Sequence, residues 1–363
     1  MKILFLGFSK LKYMPYANFY LNNIDLEKNE IHFVYWNRDL KEEDLTRYRN
    51  VSFYEFKYFQ NDDVTKLSKV KGFFKYRHFS AKIIRNNDYD LIIALHTFPA
   101  VLLRKILNGK YRGKFVFDYR DSTYEKYGFF KKIIGKLVKS SKLTFVSSDA
   151  FRSVLPLECK HKIVTTHNIS IDTLYQLQCT RNEQKCGIIR IAFWGFIRDK
   201  KLNESLIQKI SKDQRFELHF YGREQQVAVS LKEYAKLINA KNVYFHGEYV
   251  PEDRYKFAQQ TDIIHNMFDD DNMMIAMSNK YYDCIAFKIP QLCYQGSFMA
   301  RRAKENGVGF ECDPYASDFT TKIYEYYSTI DRREFEKSCC DELKFIKDEY
   351  RESVKQVLNL TQE

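Results

Sequence analysis

Glycine and proline are scarce in this chain of 363 residues, at 13 and 6, so long flexible linkers are not expected. No apolar run approaches the ~20 residues that a membrane-spanning helix requires. The start, Met1-Lys-Ile-Leu-Phe-Leu-Gly-Phe8, is too short in its apolar core for a signal peptide and runs on into Lys10 and Lys12; it reads as a first buried strand. No GxGxxG follows that strand and no GxxxxGK[ST] occurs anywhere, which removes the main support for dinucleotide and P-loop readings. The eight cysteines (159, 179, 186, 284, 293, 312, 339, 340) form no CxxC pair and no metal-ligand spacing, as expected of reduced, cytosolic thiols. Tyrosine and phenylalanine abound, but no basic–aromatic RNA-recognition signature appears, so nucleic acid is not an expected partner.

What is present is a folded, basic chain. Hydrophobic residues make up 45% and aromatics 16%, enough for sizeable cores. The net charge of +12 favours an anionic partner: a nucleotide, nucleic acid or an acidic membrane surface. The length suits two domains.

Apolar runs recur in the first half at Ile3–Phe8, Ile31–Trp36, Val51–Phe56, Leu91–Leu95, Phe115–Tyr119, Leu143–Val146 and Ile163–Thr166. Helical patterns lie between them at Lys75–Arg85, Ala100–Leu107, Phe129–Lys139 and Asp149–Leu155. Strands alternating with helices predict an α/β fold with a mainly parallel sheet, whose ligands bind beyond the carboxyl ends of the strands. A polar, aperiodic stretch, 171–187, is the expected linker between a first domain, 1–170, and a second, 188–335. The βα rhythm resumes with Ile188–Phe193, Phe216–Tyr221, Val243–His246, Ile263–Met267 and Gln291–Tyr294. From Arg332 onward, apolar residues at helical spacing predict a closing helix, 336–363.

Several strand ends carry candidate chemistry. His96 ends an apolar strand, where it can be a catalytic base, a sugar contact or a histidine hydrogen-bonded at a strand end. Asp118, Arg120 and Asp121 crowd charge at the next exit and must either pair with one another or meet a polar ligand; Asp118 is expected to be structural, bridging Arg120 or a helix start. Phe129 and Phe130 begin a helix flanked by Lys131, Lys132 and Lys136, which can lie on an anionic membrane or simply cover the sheet. In the second half, Gly195 with Arg198 and Lys201 forms a strand–turn–helix phosphate site or a solvated basic turn. Ser278 or Asn279 can cap a helix that ends before Pro290 and also carries Lys280 and Asp283, so that a phosphate partner and a ribose acceptor lie near each other, or it is an ordinary capped helix. The run Asp269-Asp270-Asp271 reads as a solvated acidic loop rather than a metal site.

The segment Ser278-Asn-Lys-Tyr-Tyr-Asp-Cys-Ile-Ala-Phe-Lys-Ile-Pro290 resembles the nucleotide-sugar segment of GT-B glycosyltransferases, particularly family four. The Asp118–Asp121 stretch resembles the corresponding segment of bacterial polysaccharide glycosyltransferases. The resemblance runs in order over nearly the whole chain. It implies two Rossmann-like domains facing across a cleft, with the last helix crossing back to the first domain. It further implies a metal-independent hexosyltransferase without a cofactor, moving sugar from a nucleotide-sugar donor to a lipid-linked or oligosaccharide acceptor in surface polysaccharide biosynthesis. Asp283 matches the second glutamate of the family motif, a ribose ligand, while Ile275 stands where the first glutamate would be and Lys288 where glycine is frequent. Arg198 and Lys201, with Lys200 as alternative, match the pyrophosphate residues, and Tyr249 and Val250 the base-binding loop. His96 is implied to face the cleft and Asp121 to meet the acceptor hydroxyl. The expected location is the cytoplasm, including a peripheral place on the inner face of the plasma membrane. A sugar-nucleotide 2-epimerase and a non-enzymatic sugar- or membrane-binding relic are the alternatives.

Overall fold

A computed structural model of the chain describes residues 1–60, 66–169 and 187–362. The expected linker, except for Gly187, lies outside the described residues, as do Cys179 and Cys186. The chain divides into two compact units, Met1–Ser170 with Asp348–Glu363, and Ile171–Lys347.

The first unit holds a seven-stranded sheet of β1 (Lys2–Leu6), β2 (Glu30–Asn37), β3 (Val51–Lys57), β4 (Leu91–Leu95), β5 (Phe115–Tyr119), β6 (Leu143–Val146) and β7 (Ile163–Thr165). Its order is β3-β2-β1-β4-β5-β6-β7, and every pairing is parallel. β4 and β5 are buried at every position, because helices cover both faces and each side chain must be compatible with a core. The chain order reverses at β1, between β2 and β4, which is where such sheets open a crevice.

The helices are α1 (Ala17–Leu21), α2 (Lys66–Arg85), α3 (Thr97–Leu102), α4 (Arg104–Asn108) and α5 (Gly128–Ser140). Two differ in kind from the sequence reading. The helix expected over Ala100–Leu107 is broken at Leu103, and Arg104 Nη1 donates to the Val101 carbonyl at the break (3.0 Å). The turn expected as a helix over Asp149–Leu155 is a 3-10 segment, Asp149–Val154, since Pro156 disfavours helical backbone at Leu155.

The second unit holds a six-stranded parallel sheet of β8 (Ile189–Trp194), β9 (Phe216–Tyr221), β10 (Val243–Phe245), β11 (Ile263–Asn266), β12 (Gln291–Tyr294) and β13 (Gly309–Cys312), ordered β10-β9-β8-β11-β12-β13. Its helices are α6 (Lys200–Ile210), α7 (Gln226–Leu237), α8 (Arg254–Gln260), α9 (Asn279–Phe287), α10 (Phe298–Glu305) and α11 (Phe319–Thr329). The last helix, α12 (Arg332–Gln362), belongs to the second unit up to Lys347 and to the first from Asp348. Val357 and Leu360 are buried in the first unit's core with Phe19, Tyr20 and Phe145; such burial stabilises by about 1.5–3 kcal/mol per side chain. The crossing helix is therefore held by apolar burial at its end, and the division falls inside it rather than at 335/336.

Candidate functional site

In the second unit β8 runs out at Trp194 into Gly195, whose φ of 128° lies where side-chain-bearing residues are rarely found. The turn after β9 presses on it: a Cβ at Gly222 would stand 2.2 Å from the Gly195 carbonyl oxygen. The turn ends at Asp199, itself left-handed at φ 59°, where α6 begins. Asn203 ties the turn down by donating to the carbonyls of Arg198 (2.6 Å) and Asp199 (3.1 Å). Its own carbonyl meets His265 Nε2 at 3.0 Å, while His265 Nδ1 receives the Met267 N–H at 3.2 Å. These two contacts define a neutral His265, and burial, with Lys280 nearby, pushes its pKa down to about 3.

Arg198 is partly exposed, with its guanidinium 4.8 Å from the centre of the Phe268 ring. Its carboxylate neighbours, Asp199 and Asp270, each stand 3.8 Å away, beyond hydrogen-bond length. Burial pushes the Asp199 carboxyl up to about 6, against the lowering pull of Arg198. Asp270 also accepts the N–H groups of Asn272 (3.1 Å) and Met273 (3.0 Å), and Asp269 accepts from the Tyr315 hydroxyl (2.9 Å). The acidic run is thus a folded loop beside the arginine.

The lysine that shares this turn is Lys280. It is 8% exposed, and its ammonium lies 4.1 Å from the Phe193 ring centre and 4.7 Å from that of Phe268. A Cβ placed on Gly195 would be 3.9 Å from Nζ. No carboxylate bonds it among the described residues; burial, with Arg198 adding to the effect, pushes its pKa down to about 7. Lys200 and Lys201 lie exposed on α6, with Lys200 Nζ 3.6 Å from Glu204. Of the lysines expected at the donor phosphates, Lys280 is buried, since α9 buries every residue from Lys280 to Phe287, whereas Lys201 and its alternative Lys200 are exposed on α6.

Ser278 is the N-cap of α9, but its hydroxyl donates to Asn266 Oδ1 (2.5 Å) and caps no helix N–H. The helix start, with Asn279 exposed in its first turn, keeps the N–H groups and dipole that favour an anion. Asp283, one turn in, is 2% exposed; its oxygens accept from Trp194 Nε1 (2.8 Å) and Arg254 Nη1 (2.9 Å). Burial raises its pKa, and Arg254 opposes that rise. The carboxylate expected at the ribose is thus enclosed, and it holds Arg254, the partly exposed member of the pair. Tyr249 stands edge-on to Phe257 (5.3 Å), its hydroxyl pushed up to about 12 by burial; Val250 is exposed. Trp194, Asn203, Arg254 and His265 escaped the sequence reading, since none belongs to a local motif.

In the first unit the charges at the end of β5 sort themselves. Arg120 and Asp118 form a buried ion pair in which Nη2 donates to Oδ2 (3.0 Å), while Nε stands 2.6 Å from Oδ1 without hydrogen-bond geometry. Arg120 also donates to Asn168 Oδ1 (2.8 Å) and lies over the Tyr16 ring (4.9 Å). Asp121 turns the other way, its side chain 48% exposed, and Oδ2 meets His96 Nε2 at 3.0 Å. His96 adopts φ 81°, a conformation costing ~1–3 kcal/mol outside glycine. The Phe98 N–H points at Nδ1 (3.5 Å), which assigns the ring proton to Nε2, facing Asp121.

The helix expected to carry a membrane face is α5. Phe130, Ile134, Leu137 and Val138 are buried, so Phe130 is corrected from the lipid-facing to the core side. Phe129 is 66% exposed, and Lys131, Lys132 and Lys136 are exposed.

No family model and no curated protein sequence matches the chain. Solved structures do match over its length. HepE of Anabaena, in complex with UDP and glucose, superposes with a TM-score of 0.63 at 14% identity, covering 100% of this chain and 97% of that one. Sucrose-phosphate synthase of Thermosynechococcus elongatus gives 0.69 at 9%, with coverages of 100% and 98%. A putative UDP-N-acetylglucosamine 2-epimerase from Listeria monocytogenes gives 0.60 at 12%, with 93% and 90%. With two parallel Rossmann-like sheets and full-length likeness to such structures, the chain has the GT-B fold.

Proposed function

We propose that this chain is a glycosyltransferase that moves a hexose from a nucleotide-sugar donor to a lipid-linked or glycan acceptor in surface polysaccharide synthesis. The observation that carries the reading is Lys280, a buried ammonium that no carboxylate bonds among the described residues, set beside Arg198, Gly195 and the start of α9. A buried cation that no carboxylate bonds is costly unless an anion arrives. The diphosphate of a nucleotide sugar meets that requirement, with Arg198 as a hydrogen-bonding fork, Lys280 as a point charge and the α9 N–H groups, including Asn279's, as neutral donors. Arg254, anchored by Asp283, is the candidate for the ribose hydroxyls, and Tyr249 for the base.

As the sugar C1–O bond to the diphosphate breaks, negative charge gathers on the leaving phosphate. Groups already aimed at it stabilise that charge without reorganising. The role needs no metal in this scheme. In the first unit Asp121 is assigned to the acceptor hydroxyl, as hydrogen-bond acceptor and proton receiver, with His96 Nε2–H holding its carboxylate in orientation.

Thermal-shift and calorimetric screening against UDP, GDP, dTDP and CMP sugars tests the reading, since a true donor must stabilise the folded chain by mass action. Donor binding with acceptor-dependent nucleotide release is expected. No stabilisation by any of them would remove the donor site, and a C2-inverted sugar nucleotide formed without acceptor would establish the epimerase reading instead.

A further inference from the structure

In the first unit the chain leaves β5 at Tyr119 and reaches α5 at Gly128 through an irregular turn that carries Asp121. Irregular backbone must find its hydrogen-bond partners outside a helix or sheet ladder, and here one side chain supplies several of them. Glu125 is 7% exposed. Its Oε2 accepts the Ser122 hydroxyl (3.1 Å) and the N–H groups of Thr123 (2.5 Å) and Tyr124 (2.8 Å), and its Oε1 accepts the Tyr119 hydroxyl (2.8 Å). An ionised carboxylate offers about four acceptor positions, and four donors meet this one. Burial, with Glu125 adding to it, holds the Tyr119 phenol well above its ordinary pKa, so that hydroxyl stays a donor.

The start of the turn is pinned from neighbouring elements. Ser147, which follows β6, donates its hydroxyl to the Arg120 carbonyl (2.9 Å), and Thr97, the first residue of α3, donates to the Asp121 carbonyl (3.1 Å). The peptide groups on both sides of Asp121 are therefore held. Two side-chain torsions remain to the aspartate, and His96 Nε2, 3.0 Å from Oδ2, selects among them. At the far end of the turn the Tyr124 ring stands edge-on to Phe130 (5.5 Å), a core residue of α5.

We propose that Glu125 is a positioning residue for Asp121: its carboxylate folds residues 122–124 around itself and so fixes the direction in which Asp121 meets His96, touching no substrate itself. The catalytic part of this proposal rests on the reading of Asp121 as the acceptor-side carboxylate; the holding of the His96–Asp121 pair does not. A reacting group displaced by about 1 Å costs on the order of 10²-fold in rate. A turn tied at several points by buried hydrogen bonds thus bears on the chemistry, although none of those ties meets the acceptor.

The test reads the His96–Asp121 pair directly, by NMR of the full chain labelled with nitrogen-15 at histidine. Wild type is expected to show a protected His96 Nε2–H, assigned by its loss in His96→Gln. In Glu125→Ala that proton should exchange at least about tenfold faster. Glu125→Gln should retain it, because its amide oxygen still accepts from residues 122–124 and its NH2 can donate to the Tyr119 oxygen. Should Glu125→Ala fail to fold, Glu125→Asp, one methylene too short for all four donors, replaces it with the same expectation. An unchanged His96 proton in that variant overturns the proposal, as does its loss in Glu125→Gln or its absence from wild type. The second readout is turnover of the nucleotide sugar that binds in the screen. Glu125→Ala should lower kcat about 10²-fold at unchanged donor Kd, and Glu125→Gln should keep the wild-type pH profile, which a residue acting as the base itself would lose. A moved His96 proton in a chain that turns over no nucleotide sugar sinks the transferase reading and supports the positioning; normal kcat in Glu125→Ala does the reverse.

Discussion

The ammonium of Lys280 lies 4.1 Å from the centre of the Phe193 ring, so this buried cation has an aromatic face where a carboxylate would be the usual partner. Ring faces attract a cation by about 0.5–2 kcal/mol, which falls short of replacing lost hydration. The result is a lysine with a pKa pushed down to about 7.

That value makes pH the first test. Between about 7 and the ordinary lysine range the unfolded chain holds a proton that the folded chain has released, so Lys280 makes stability rise with pH across that window. Diphosphate binding reverses the preference by favouring the charged form. UDP affinity is expected to fall as pH rises above about 7, and binding to take up a proton, read by calorimetry in buffers of different ionisation enthalpy. Lys280→Met should abolish the uptake; uptake of the same size in that variant would assign the proton elsewhere.

Arg198→Ala should weaken nucleotide binding by ~1.5–3 kcal/mol, the range for a charged hydrogen bond. Lys201→Ala should leave it within about twofold, since an exposed lysine screened by water contributes little. Calorimetry on Lys201→Ala beside Lys280→Met decides between the lysine of the basic turn and the buried lysine of α9.

Asp283→Ala is expected to destabilise the fold by ~2–4 kcal/mol in urea titrations, because it removes a charged partner of Arg254 and the acceptor of the buried Trp194 N–H. A direct ribose ligand would behave differently: stability would hold, and discrimination between ribo- and 2′-deoxyribonucleotides would vanish.

Asp121→Asn keeps the size of the side chain and an acceptor for His96, yet removes the charge that can receive a proton. Turnover should drop by ~10²–10⁴ while donor affinity stays at the wild-type value. An equal loss in both would place Asp121 in donor binding.

The amino-acid sequence by itself determined the succession of strands and helices and the place of the basic turn. The limits of Leu91–Leu95, Phe115–Tyr119, Leu143–Val146, Phe216–Tyr221 and Gln291–Tyr294 stand as the apolar runs mark them, because buried strands are rich in apolar residues and bounded by polar turns, and Phe216–Tyr221 alternates buried Phe216, Leu218 and Phe220 with half-buried Glu217, His219 and Tyr221. Gly195 and Arg198 were legible for a similar reason, since a strand, a tight turn and a helix start are written in adjacent residues. Only the tertiary structure decided which charges cancel. Asp118 and Asp121 are neighbours of one arginine, yet Asp118 is sealed with Arg120 while Asp121 meets His96, 25 residues away. Asp283 finds Trp194 across 89 residues and Arg254 across 29, and of the two adjacent phenylalanines of α5 only Phe130 enters the core. Desolvation and pairing are properties of neighbours in space, and for these side chains folding brings those neighbours from distant strands and helices.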